Sequence, residues 1–180
     1  MERPSVQVAV VLEREARPNA WEDWRFRIVE VIEQQEAFGH EPRLLFDDGR
    51  VARWTHPGFT LELFRDEGEG YYLNLSSGQP VWFVMWRIDD EDASRATVEQ
   101  VSLSYNEAGR WLDAQERVDN VPLQPHLVAW LQAYTAEHYK PEPKRRQRPA
   151  SFVAPGERER HVPLDPSRPP RPGGAGGGRA

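Results

Sequence analysis

The chain of 180 residues has no cysteine. Disulfides, thiolate nucleophiles and cysteine-ligated zinc or iron–sulfur centres are excluded, and a reducing compartment fits. Long apolar runs are also missing. Near the N-terminus the run from Val8 to Leu12 stops at Glu13. That is too short for a secretory core or a membrane span, so a cytoplasmic protein with no membrane contact is expected. Glycine is scarce where a phosphate would need it. The one Gly-rich run, "PGGAGGGRA", ends the chain with no strand before it and no helix after it, and "EGEG" (67–70) is acidic. No phosphate cradle of the strand–loop–helix kind is present, and no cofactor is expected.

Convergent catalytic groups are lacking as well. His40, His56, His126, His138 and His161 never fall at i, i+3 or i, i+4 spacing, and "DDED" (89–92) lacks the glycine and the later glutamate of a calcium loop. No metal site is expected. "NLSSGQP" holds Ser76 and Ser77 but is no G-x-S-x-G elbow. These absences point away from an enzyme.

What is present is unevenly spread. All seven Trp and all five Tyr fall before residue 141, while nine of the sixteen Pro fall after Lys140. Basic residues number 14 against 25 acidic ones through Lys140, then nine against four. Residues 1–140 are read as one folded domain. Residues 141–180 are read as a disordered Pro/Gly/Arg-rich tail, with too little apolar surface to offset ordering entropy. The acidic body argues against nucleic acid as a partner. The basic stretch Lys140–Pro149 lacks interleaved aromatics for base stacking and is read as a solvating tail or a docking arm.

Alternation marks the strands. "VAVVL" and "WRFRIVEVIE" read as strands joined by a loop over 13–24, and Asp48-Gly49 reads as a hairpin turn. "FTLELFRDEGEGYYLNL" repeats that pattern, with "RDEGEG" as the turn and Tyr71, Leu73 and Leu75 on one strand face. Val81–Ile88 is apolar on both faces and so belongs in a sheet centre. "ATVEQVSLSY" buries Val98, Val101 and Leu103 together only through a bulge or twist. Residues 106–116 fit either a helix capped by Asn106 or a hairpin. Pro125 opens an amphipathic helix over about 124–139, with Leu127, Trp130, Leu131, Tyr134 and His138 on its stripe.

Strands first and helices last imply α+β: a mainly antiparallel curved sheet, or a small partly closed barrel of pleckstrin-homology kind, capped by the C-terminal helix. Among the tryptophans, Trp82, Trp86 and Trp130 are assigned to the core. Trp21, Trp24, Trp54 and Trp111 lie beside charges and are candidates for an exposed patch. Polar and aromatic residues cluster in two places, and these give the candidate interaction surface: Tyr71, Tyr72, Asn74, Ser76 and Ser77, with Asn106, Glu107, Arg110 and Trp111.

"FRDEGEGYYLNLSSGQPVWFVMWR", "VSLSYNEAGRWLDAQERVDNVPL" and "AEHYKPEPKRRQRP" resemble a proteobacterial domain-of-unknown-function family, number 3305. The likeness runs over roughly residues 6–149. The family implies a setting among genes for molybdenum-dependent formate dehydrogenase and its accessory factors, and no established catalytic residues. A nucleotide transferase label attached to some members needs a glycine loop that "VAVVLEREARPNAW" lacks. The expectation is a non-enzymatic accessory protein that aids expression or maturation of formate dehydrogenase by protein contact. The alternative is a small-ligand or peptide-binding β-module using exposed aromatics.

Overall fold

The computed structural model describes residues 2–17 and 21–143. The tail expected from 141, and the basic stretch within it, lie outside the described residues from 144 onward. Among the described residues seven strands and three α-helices follow in order: β1 (Ser5–Ala16), β2 (Trp24–Glu33), β3 (Arg43–Asp47), β4 (Val51–Glu62), α1 (Gly68–Ser76), β5 (Val81–Ile88), β6 (Ala96–Ser102), α2 (Tyr105–Asp113), β7 (Arg117–Pro122) and α3 (Pro125–His138). The expected mainly antiparallel α+β class with a C-terminal helix is what the chain adopts.

The strands form two antiparallel sheets, ordered β2-β1-β4-β3 and β6-β5-β7. No pairing joins the two sheets among the described residues, so of the two expected forms the open sheet is adopted and no closed barrel forms. Instead β2 lies against β7 and β4 against β6. One apolar cluster fills the space between, built from Val8, Val10, Leu12, Ile28, Trp82, Val84 and Trp86, with Leu127 and Leu131 of α3. The four-stranded sheet is one strand wider than its partner. β3 is the surplus strand, and all five of its residues are exposed.

Two register shifts let the apolar pattern fit the pleat, and a tight turn joins β3 to β4. Between Val11 and Leu12 the β1–β2 register slips, leaving Val29 without an opposite residue. The buried set on β2 therefore changes phase, from Phe26 and Ile28 to Val31. β6 has the bulge its sequence required: Gln100 pairs with Met85 and Val98 with Trp86, so Glu99 is extra. Val98 and Leu103 are then both buried. At the Asp48-Gly49 turn, Gly49 sits at φ 84°, and Asp48 Oδ1 accepts from the amides of Arg50 and Val51.

Four expectations change. Residues 13–16 continue β1 rather than forming loop. Residues 117–122, given no element in the sequence reading, form β7 against the central strand β5. The second hairpin, through "RDEGEG", does not form. A 3-10 turn over Arg65–Glu67 leads into α1, so Tyr71–Ser76 is helix. Tyr71, Asn74 and Leu75 stand at i, i+3, i+4, a spacing that serves a helix as well as alternation serves a strand. Tertiary packing decides between them: Asn74 of α1 is buried and clips the first amide of β5. Residues 106–116 take the helical option, but the cap is Ser104, not Asn106. The Ser104 hydroxyl accepts from the amide of Glu107, in an S-x-x-E arrangement. Gln115, at φ 64°, then ends α2: its amide and that of Glu116 return to the carbonyls of Leu112 and Trp111.

Candidate functional site

The two sequence segments that carry the candidate surface do meet, at the junction of α1 and α2. Glu67, just before α1, takes a hydrogen bond from the Ser104 hydroxyl and an ion pair from Arg110. Glu107 accepts from the Ser102 hydroxyl, and Asn106 Nδ2 donates to Glu69 at 3.3 Å. A Cβ on Gly70 would collide with Ser104 Oγ, so glycine is needed there for the helices to approach. Asn74 is buried. Its Nδ2 donates to the carbonyls of Val81 and Leu103, each at 2.9 Å, and its Oδ1 accepts from Val81 N at 3.0 Å. Four backbone-binding positions of one amide are thus nearly filled, which is the pattern of a structural clip.

Tyr71 is buried too, and its hydroxyl accepts from Phe64 N at 3.1 Å. Burial pushes that phenol up to about 12. Burial withdraws Tyr71 and Asn74 from any contact surface. Tyr72, Ser76 and Ser77 remain exposed on α1 and the turn after it, with Tyr72 tilted against Tyr139. Both serines hydrogen-bond back to the helix, to the carbonyls of Tyr72 and Asn74. Trp111 is half-buried and Arg110 is held by Glu67. The cluster's polar chemistry is therefore spent mainly on fastening helix to helix.

The other feature lies at the wide sheet's free edge, where the sequence marked only Trp54 as a contact candidate, His56 and Asp89 having been weighed only as metal ligands. Large apolar side chains on β3 face solvent: Leu44 is 50% exposed, Leu45 46% and Phe46 42%. Only β4 pairs with β3 among the described residues, and β3 is bulged at Leu45. Phe46 lies beneath the guanidinium of Arg53. Beneath β3, where the smaller sheet ends, a cleft of about 320 Å³ opens between β4 and β6. Leu44, Trp54 and His56 line one wall and Asp89, Arg95 and Thr97 the other. Trp54 is backed by Arg14, whose guanidinium also stacks on Trp24 and donates to the Ser94 carbonyl at 2.8 Å. His56 is only 7% exposed, and burial pushes its imidazole down from the ordinary value. The signal for β3 was legible in "RLLFD", a short apolar stretch beside the Asp48-Gly49 turn. That it would overhang depended on the strand count of the other sheet.

Of the tryptophans, Trp82 and Trp86 are buried as expected and Trp130 is half-buried against the core. Trp21 is exposed, and Trp24, Trp54 and Trp111 are half-buried. Among the described residues no group of three or more His, Asp or Glu side chains converges as a metal-ligand set. No helix there is long and apolar enough to cross a membrane. No curated protein and no solved structure matches the chain. Residues 7–148 match the family model described as protein of unknown function (DUF3305), and the chain belongs to that family.

Proposed function

We propose that this protein is a non-enzymatic accessory factor that holds a partner protein along the open edge of β3. The observation that carries the reading is the concentration of Leu44, Leu45 and Phe46 on an unpaired edge. A sheet edge offers free N–H and C=O groups, and an extended segment of a partner can add a strand there. Native proteins blunt such edges; this one is short and bulged, yet it leaves its apolar side chains in water. The partner class comes from the family resemblance: a subunit or maturation factor of a molybdenum-dependent formate dehydrogenase, met in the cytoplasm.

The test is affinity capture from native lysate with the full chain, read by mass spectrometry, beside a Leu45→Lys variant. Dehydrogenase subunits or their maturation factors should enrich with the wild-type chain and fall at least about tenfold with the variant, as for a hot-spot residue. No enrichment with the wild-type chain overturns the proposal.

One observation favours a second reading, a small-ligand module using exposed aromatics: the cleft under β3 brings Trp54 and His56 into reach of solvent. A saturable change in tryptophan fluorescence on titration with small molecules would support it.

A further inference from the structure

The cleft beneath β3 contains an unusual polar group. His56 is more than nine-tenths buried and lines the cleft, yet its ring makes no hydrogen bond among the described residues. The His56 ring nitrogens are not among the buried polar atoms left without a partner, so they reach solvent through the cleft rather than lying sealed and unpaired. Here the open side of the ring is the cleft itself. Burial disfavours the protonated ring, and the neutral ring offers one donor and one acceptor.

The surroundings narrow the ligand. Trp54 and Leu44 give an apolar wall, and the Trp54 ring is held from behind by the Arg14 guanidinium. The opposite wall brings Arg95, which forms no ion pair within 4.0 Å among the described residues, although its charge acts on the nearby carboxylate of Asp92. Asp89 also lines the cleft, but its Oδ1 is engaged by the amides of Glu91 and Asp92. About 320 Å³ lies at the lower end of small-molecule pockets. It suits one ring with short substituents rather than a dinucleotide.

We propose that this cleft binds a small planar aromatic acid. Its ring would lie against Trp54, a hydroxyl or ring heteroatom would meet His56, and its carboxylate would face Arg95. This rests on the second reading above and names the ligand class for it. It shares Leu44 with the partner-binding edge, but neither His56 nor Arg95 lies on β3.

The test uses the full chain and two matched probes, 4-hydroxybenzoate and its uncharged isostere 4-hydroxybenzamide. Histidine ring proton–carbon correlations are followed on titration, with His56 assigned by its loss in His56→Phe. The acid should shift the His56 resonance saturably and bind at least about tenfold tighter than the amide, the worth of one charge-assisted hydrogen bond. Arg95→Ala, a change on an exposed loop residue, should erase that preference while leaving the other histidine resonances in place. If the amide binds as well as the acid, the acid assignment fails while the small-ligand reading stands. If neither probe moves His56, both fall.

Discussion

Along β2, the outward backbone groups are met by side chains from the smaller sheet's side. Asp119 of β7 accepts from Ile28 N at 2.8 Å, and Gln124, the residue before α3, donates to the Val31 carbonyl at 2.6 Å. Along β3, the opposite edge of the same sheet, no side chain does this among the described residues. The difference follows from strand count. Four strands face three, so β2 has β7 beside it while β3 extends past β6. One edge has been closed by side chains standing in for a strand. The other keeps apolar residues in water, and a stability argument alone gives no reason for that. The lesson is that edges should be judged singly: a sheet can be finished at one margin and left available at the other.

The largest expected effect breaks the closed edge. Gln124 also accepts from the indole N–H of Trp82 at 2.9 Å, and Trp82 is fully buried. Gln124→Ala strands both the indole N–H and the Val31 carbonyl, at about 1–3 kcal/mol for each buried group left unpaired. Partial access of water trims the sum, and urea denaturation should show a loss of about 2–4 kcal/mol. Asp119→Ala removes one acceptor, from Ile28 N, and should cost about 1–2 kcal/mol in the same assay. Asp119→Asn keeps an oxygen in place and should recover most of it. A loss below about 0.5 kcal/mol in Gln124→Ala would mean that the edge is closed by packing instead.

A third change acts at the sheet's centre and so weighs on both edges alike. Glu13 of β1 is buried and sits between Arg27 of β2 and Arg53 of β4, each at 2.7 Å. The hydrogen bond from Arg27 holds its carboxyl below the usual range, aided by Arg53 and opposed by desolvation. The folded pKa lies below the unfolded one. The stabilisation is therefore fully present above about pH 4.3 and is lost as pH falls through the folded value. Both arginines are partly exposed, so the pair contributes modestly, about 1 kcal/mol at pH 7. Glu13→Gln should show that deficit at neutral pH, and the gap from wild type should narrow on acidification. A gap that widens below pH 4 would refute the assignment.

The strands of the wide sheet were readable because alternation and the Asp48-Gly49 turn are local signals. α3 was readable because Pro125 and an apolar stripe agree. α1 was not, and its residues explain why. Tyr71, Leu73 and Leu75 alternate as well as any strand, while the evidence for a helix lies in what Asn74 and Gly70 touch: Val81, Leu103 and Ser104, 7 to 34 residues away in sequence. β7 carries Pro122 and three polar residues in six, so it looks like loop until β5 pairs with it. The candidate surface was legible as two segments that belong together, and they do pack together. Their polar groups turn out to face one another, which composition could not reveal. His56 gave no sign at all, since a lone histidine in a strand becomes informative only once the wall opposite it is known.

The smallest expected change in stability falls on the open edge, and it separates the two edges most directly. Leu45 is bulged, exposed and without a cross-strand partner, so Leu45→Lys removes little buried area and should alter stability by no more than about 0.5 kcal/mol. An edge lysine also discourages strand addition, because a charge would have to be desolvated to pair there. The same substitution should therefore leave urea denaturation nearly unchanged and sharply reduce partner capture. Gln124→Ala should do the reverse: it lowers stability, yet at temperatures where the chain stays folded it leaves capture intact. If Leu45→Lys destabilises the protein by more than about 1 kcal/mol, β3 is part of the fold's own support and not a surface held ready for another chain. If both variants lose capture equally while folded, the two edges act as one unit and the contrast between them has no functional meaning.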